Sequence, residues 1–178
     1  MISTLAFLIA AVKPTGIAVI VNQESDTASI VDIAAYTVTH VPVGGGPHES
    51  AVSPSGKRAV VTNYYKPGVG PGSSLSVLDL DSKKEVKRIE LDRKAMPHGV
   101  QWVDDRTVVC TDERNQRLLL VNIDSDKVER EFVTGQNGSH MLSLNMNANR
   151  LVSSNMGGGS VTIFDFKSGR FYDLSLHF

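Results

Sequence analysis

The chain is short of cysteine: among 178 residues there is one, Cys110. A lone thiol excludes an internal disulfide framework and any multi-cysteine zinc site. Surplus charge is also missing, since 18 Lys and Arg stand against 19 Asp and Glu, for a formal net charge of −1. With no basic excess there is little to displace the counterions of a nucleic acid or to hold an anionic membrane surface. Aromatic residues make up 6% of the chain, too few for the stacking platforms of a single-strand nucleic-acid binder. No apolar run reaches the ~18 residues of a membrane-spanning helix. Several motifs are missing as well: no G-x-x-x-x-G-K-[ST] phosphate loop, no G-x-S-x-G elbow, and no concentrated D-x-[DN]-x-[DN]-G calcium loop with a downstream Glu.

What the chain does have is punctuation. Fifteen glycines and seven prolines, among many Val, Ser, Thr and Asn residues, favour strands and turns. Four tetrapeptides close short apolar runs: VIVN (19–22), VVTN (60–63), VCTD (109–112) and VSSN (152–155). Each is followed by a second apolar run holding one polar residue: Asp32, Asp79, Asn122 or Asp165. The step between the two markers is 10 residues in three units. In the remaining unit it is 16, because a Pro/Gly-rich loop (64–74) intervenes. A third marker opens each of the last three units: Pro47-His48, Pro97-His98 and Ser139-His140. These histidines lie 15, 14 and 15 residues before the end of their tetrapeptides.

Each unit of roughly 43–50 residues therefore reads as four short antiparallel strands joined by tight turns. In the second unit these are about 50–53, 58–63, 74–80 and 85–91. Four strands per unit with a period in the forties is the mark of a propeller blade, and the expected fold is an all-β propeller of about four blades. The blades are expected at 5–43, 48–92, 98–134 and 140–175, forming one closed or partial propeller domain. Residues 1–12 (MISTLAFLIAAV) read either as a short secretory signal or as the first strand of blade one. The turn-like KPTG (13–16) six residues before Asn22 supports the strand.

The tetrapeptides, the SPSG turn (53–56), the strands SLSVLDL (74–80) and SVTIFDF (160–166), and the junction VPVGGGPH (41–48) resemble the YVTN-type β-propeller repeat. The resemblance covers about residues 5–175. Departures are Asp112 in place of a terminal Asn, Asn122 in place of Asp, and MNAN (146–149) in place of a Pro-Asp-Gly turn. The resemblance implies blades around a channel, commonly seven. It also implies an exported, periplasmic or extracellular protein of the surface-layer or cell-envelope type, with a cytoplasmic location as the alternative if residues 1–12 are a strand. Such proteins are similar in fold to lactone-hydrolysing propellers and to haem-d1 domains, but a shared fold does not carry chemistry with it.

Candidate site residues follow from blade geometry. The start of a first strand and the end of a second lie at the same end of an antiparallel blade. His48, His98 and His140 thus share a face near the channel mouth with Asp112, flanked by Glu49 and Glu113. One reading is a ligand-orienting ring, or a divalent metal held by His48, His98 and His140. The other is that each histidine caps its turn on a neighbouring blade's backbone, with equivalent positions splayed apart around the axis; repetition in successive blades favours this one. The Asn and Asp markers are expected to accept backbone N–H groups in turns. Cys110, inside an apolar run, reads as an inert buried thiol. On the loop 64–74, Tyr64, Tyr65 and Lys66 are candidates for partner contact.

The function read from these features is a non-enzymatic binding or scaffold module for a protein or small ligand, with no cofactor. The alternative is a propeller enzyme or subunit carrying a metal or haem-like cofactor at the channel mouth. Four blades are fewer than the resembling family usually has. The chain accordingly reads as a small closed propeller, a self-associating half or a portion of a longer one.

Overall fold

A computed structural model of the chain describes residues 14–93, 95–147 and 149–176. The described residues form four antiparallel meanders. The first contains β1 (Ile17–Asn22), β2 (Thr27–Asp32) and β3 (Thr37–Pro42). The second contains β4 (Pro47–Val52), β5 (Arg58–Lys66), β6 (Gly70–Asp79) and β7 (Lys84–Glu90). The third contains β8 (Pro97–Trp102), β9 (Thr107–Asp112), β10 (Arg117–Asn122) and β11 (Lys127–Val133). The fourth contains β12 (Ser139–Asn145), β13 (Arg150–Asn155), β14 (Ser160–Asp165) and β15 (Phe171–Ser175). The fold is all-β and propeller-like. The first strand expected within residues 5–12 lies outside the described residues.

The turns follow from the polar markers. Asp32 accepts the N–H groups of Ala34 and Ala35 at 3.0 and 2.9 Å, and Asn122 accepts those of Asp124 and Ser125 at 3.0 and 3.1 Å. Asp79 and Asp165 hold Ser82 and Ser168 in the same way. Each carboxylate or amide oxygen thereby closes the β-turn that reverses the chain.

Strand alternation supplies the packing. Successive residues face opposite sides of a sheet, so the second and third sheets, apolar on both faces, are each sandwiched between two neighbours, while the first and fourth each pack on one. In β9, Val108 and Cys110 pack toward the second sheet with Val60, Val77 and Leu119. Val109 packs the other way, with Leu118, Phe132, Leu142, Leu151 and Phe164. A third cluster joins the first two sheets through Ala28, Ile30, Val41, Ala59, Val61 and Leu78. The cores thus lie between blades. The leading strands β4, β8 and β12 contact one another in series at the hub. Cys110 is fully buried, and burial pushes its thiol pKa up, in keeping with an inert thiol.

Candidate functional site

The site begins with a bulge. Pro47 pairs with Asn63 and Ser50 with Val61, so His48 and Glu49 together face the single residue Thr62. His98 and Gly99 likewise face Thr111, between the pairs Pro97–Asp112 and Val100–Cys110. In the fourth sheet His140 is the extra residue before Met141 pairs with Ser154. A bulge breaks the pleat and re-aims a side chain at the sheet's end. The hydroxyl opposite fills the gap: Thr62 accepts the Glu49 N–H at 3.0 Å, and Thr111 accepts the Gly99 N–H at 2.9 Å. Each hydroxyl then donates to the next blade, Thr62 to the His98 carbonyl at 2.8 Å and Thr111 to the His140 carbonyl at 2.9 Å.

These clamps bring the three histidines together instead of splaying them. The His48 and His98 ring centroids are 4.0 Å apart, and those of His98 and His140 are 3.7 Å apart. Gly99 permits the approach, since a Cβ there would sit 3.2 Å from the His140 carbonyl oxygen and the Leu142 nitrogen. Tyr64 stands edge-on to both His48 and His98, at 5.2 and 4.8 Å. Its hydroxyl donates to Glu113 Oε2 at 3.1 Å. The same oxygen lies 2.9 Å from His140 Nδ1. A carboxylate only accepts, so His140 carries its proton on Nδ1 and presents Nε2 as a lone pair when neutral. Burial, then the Glu113 charge, pushes the Tyr64 phenol up to about 12. Glu49 Oε1 is 3.9 Å from His48 Nδ1.

The other candidates lie elsewhere. Asp112 is fully buried and accepts from the Met96 N–H at 3.2 Å, Asn115 Nδ2 at 2.9 Å and Arg117 Nε at 2.8 Å. Its carboxylate anchors the entry to β8. Lys66 pairs with Asp26, and its ammonium holds the Asp26 carboxyl below the usual range. Tyr65 is exposed and receives a hydrogen bond from Gln23 on its carbonyl. Thr62 and Thr111 are the residues the sequence reading missed. Their signal is a hydroxyl at the third tetrapeptide position of VVTN, VCTD and VSSN.

His98 sits between two other imidazoles. Burial first, then the neighbouring His48 and His140, lowers its pKa from 6.5 to about 3. The other ionisable groups facing it are Tyr64 and, beyond the flanking rings, Glu49 and Glu113. Below pH 6.5 the unfolded chain takes up a proton that the folded chain refuses until about pH 3. This contribution is therefore whole above pH 6.5 and is lost as the pH falls toward 3, with a limiting slope of about 1.4 kcal/mol per pH unit. Urea unfolding between pH 7.5 and 5 should show that loss, and in His98→Gln the slope should flatten. Equal slopes in the two proteins would refute the assignment.

No family model matches the chain, and no curated protein matches its sequence. Among solved structures it is similar to Kuenenia stuttgartiensis hydrazine synthase, at 24% identity and a TM-score of 0.76, over 97% of this chain and 53% of that one. It is also similar to virginiamycin B lyase from Staphylococcus aureus, at 15% identity and a TM-score of 0.72, over 92% and 55%. The WD40 β-propeller domain of Doa1 aligns at 15% identity and a TM-score of 0.69, over 85% and 48%. The chain spans about half the length of each. At these identities the likeness shows the propeller fold, which enzymes and binding domains share.

Proposed function

We propose that the chain is a non-enzymatic binding and scaffold module of the YVTN-repeat type. In this reading a second copy completes its ring, and the histidine face is presented to a small ligand or protein. One observation carries it: the two terminal sheets expose the faces that the inner sheets bury. On the fourth sheet, cross-strand pairing puts Met141, Val152, Ser154, Val161, Ile163, Tyr172 and Leu174 on one face. The corresponding face of the third sheet holds Val109, Leu118 and Phe132 and is buried. Here Leu174 is 50% exposed, and nothing among the described residues covers the face. Ser154, exposed, occupies the position of the clamping hydroxyls Thr62 and Thr111. A groove of about 370 Å³ runs along this sheet past His140, Ser154, Met156 and Leu176.

The complementary surface is on the first sheet. Ala18 and Ile20 stand where Ala59 and Val61 stand in the second, and Ile20 is 53% exposed. One copy's fourth sheet against the other's first sheet repeats the contact already made three times within the chain. Two such contacts close a two-fold ring of eight blades, within the size range of known propellers. Sedimentation equilibrium should give twice the 19.2 kDa of one chain at micromolar concentration. A single-chain mass at every concentration would overturn the reading.

A further inference from the structure

The histidine ladder has two nitrogens with nothing to do. Nδ1 of His48 and Nδ1 of His98 are both buried and have no hydrogen-bond partner among the described residues. His98 as a whole is 2% exposed. A buried polar atom left unpaired costs about 1–3 kcal/mol, so a fold that keeps two in adjacent rings invites a ligand that uses both residues. At the third ring, His140, Nδ1 has its partner in Glu113, whereas among the described residues the Nδ1 atoms of these two have none.

A third donor is at hand. His48, His98 and Glu49 each offer one ligand atom, and these atoms lie within 4.8 Å of one another. Zinc bound at about 2.0–2.2 Å from nitrogen and oxygen holds its ligands some 3–3.5 Å apart, so the set needs to contract by about 1.5 Å. His48 and Glu49 are partly exposed, with side chains at 34% and 38%, and sit on the bulge. His98, held in the interior, is the fixed member. Two imidazoles and one carboxylate select a first-row transition ion such as zinc over magnesium or calcium, which prefer all-oxygen sets. Three protein ligands leave a fourth position open on the exposed side.

We propose that His48, His98 and Glu49 form a binding site for a divalent first-row transition ion, with His140 stacked against His98 and fixed by Glu113. The donor set lies within one chain, so the site does not depend on ring closure. His140, Glu113 and Tyr64 act as positioning residues, holding the ladder through the hydrogen bonds described above.

The test is calorimetric titration of the chelator-treated full chain with Zn²⁺, paired with the visible spectrum of the Co²⁺-loaded protein. The expected result is one ion per chain and a four-coordinate Co²⁺ absorption band. His48→Ala and Glu49→Gln, at partly exposed positions, should each weaken affinity by at least about tenfold, with circular dichroism reporting an intact fold. His40→Gln, on the first sheet, should leave affinity unchanged. No binding above the buffer background would overturn the proposal. So would binding that survives both His48→Ala and Glu49→Gln, or binding lost equally in His40→Gln. His98→Ala need not fold for the result to be decisive, because the two exposed-side variants carry it.

Discussion

Gly46→Ala is expected to destabilise the chain by at least about 4 kcal/mol, in the range reserved for gross local conflict. Gly46 sits at φ +61°, where an L residue pays about 1–2 kcal/mol before any contact is counted. A Cβ there would lie 2.0 Å from the Tyr65 carbonyl oxygen and 2.3 Å from its carbon, both backbone atoms that cannot rotate away. The same residue donates its N–H to Asp26 at 2.9 Å and accepts the Tyr64 N–H at 2.9 Å. Forcing the strands apart would also displace Pro47-His48 from the ladder. Thermal unfolding should show a fall of roughly 10 °C or more. Gly56→Ala provides the contrast: φ is +70° there but nothing lies within 4 Å, so only the backbone penalty of about 1–2 kcal/mol should appear. Similar losses at the two positions would show that the Tyr65 contact has no energetic weight.

Arg117→Met should cost about 3 kcal/mol, because it strands a carboxylate. Asp112 is wholly buried, and Arg117 supplies its only cation at 2.8 Å among the described residues. Removing one partner of a buried pair typically costs 3–5 kcal/mol, since the remaining charge is left without compensation. The Met96 N–H and Asn115 amide still reach Asp112 and hold the cost toward the lower end. The other Arg117 ion pairs, with Glu131 at 2.9 Å and Asp92 at 3.5 Å, involve carboxylates that are about half exposed and contribute little. Arg117→Met combined with Asp112→Asn should recover most of the loss in urea unfolding. A double variant as unstable as the sum of the single ones would place the energy in Arg117 packing instead.

The same pair shows what the sequence makes legible and what it hides. In three blades the marker Asn ties back to two hydroxyls on the next strand: Asn22 to Thr27 and Ser29, Asn63 to Ser74 and Ser76, Asn155 to Ser160 and Thr162. The amide is the donor here, whereas the sequence reading expected these side chains to accept in turns. The hydroxyls two residues apart in T-A-S, S-L-S and S-V-T were the available signal. In the third blade Asn becomes Asp112 and the facing hydroxyl position becomes Arg117, so an apparent departure from the repeat is a matched charge exchange. Strand positions and the turns at Asp32, Asp79, Asn122 and Asp165 could be read locally, because each depends on neighbours two or three residues away. The stacking of His48, His98 and His140 could not. It depends on pairing register and on hydroxyls that clamp one blade to the next, across separations of 29 and 36 residues.

Ring closure by a second copy rests on one surface seeking another, and mixing two disabled chains tests it most directly. Leu174→Asp puts a charge on the fourth-sheet face, and Ile20→Asp puts one on the first-sheet face. A head-to-tail ring predicts that each variant alone sediments at 19.2 kDa, while an equal mixture contains a two-chain species joined by the one intact contact. Ile20→Asp alone retaining the mass of the unaltered protein, or a mixture that stays at the single-chain mass, would contradict it.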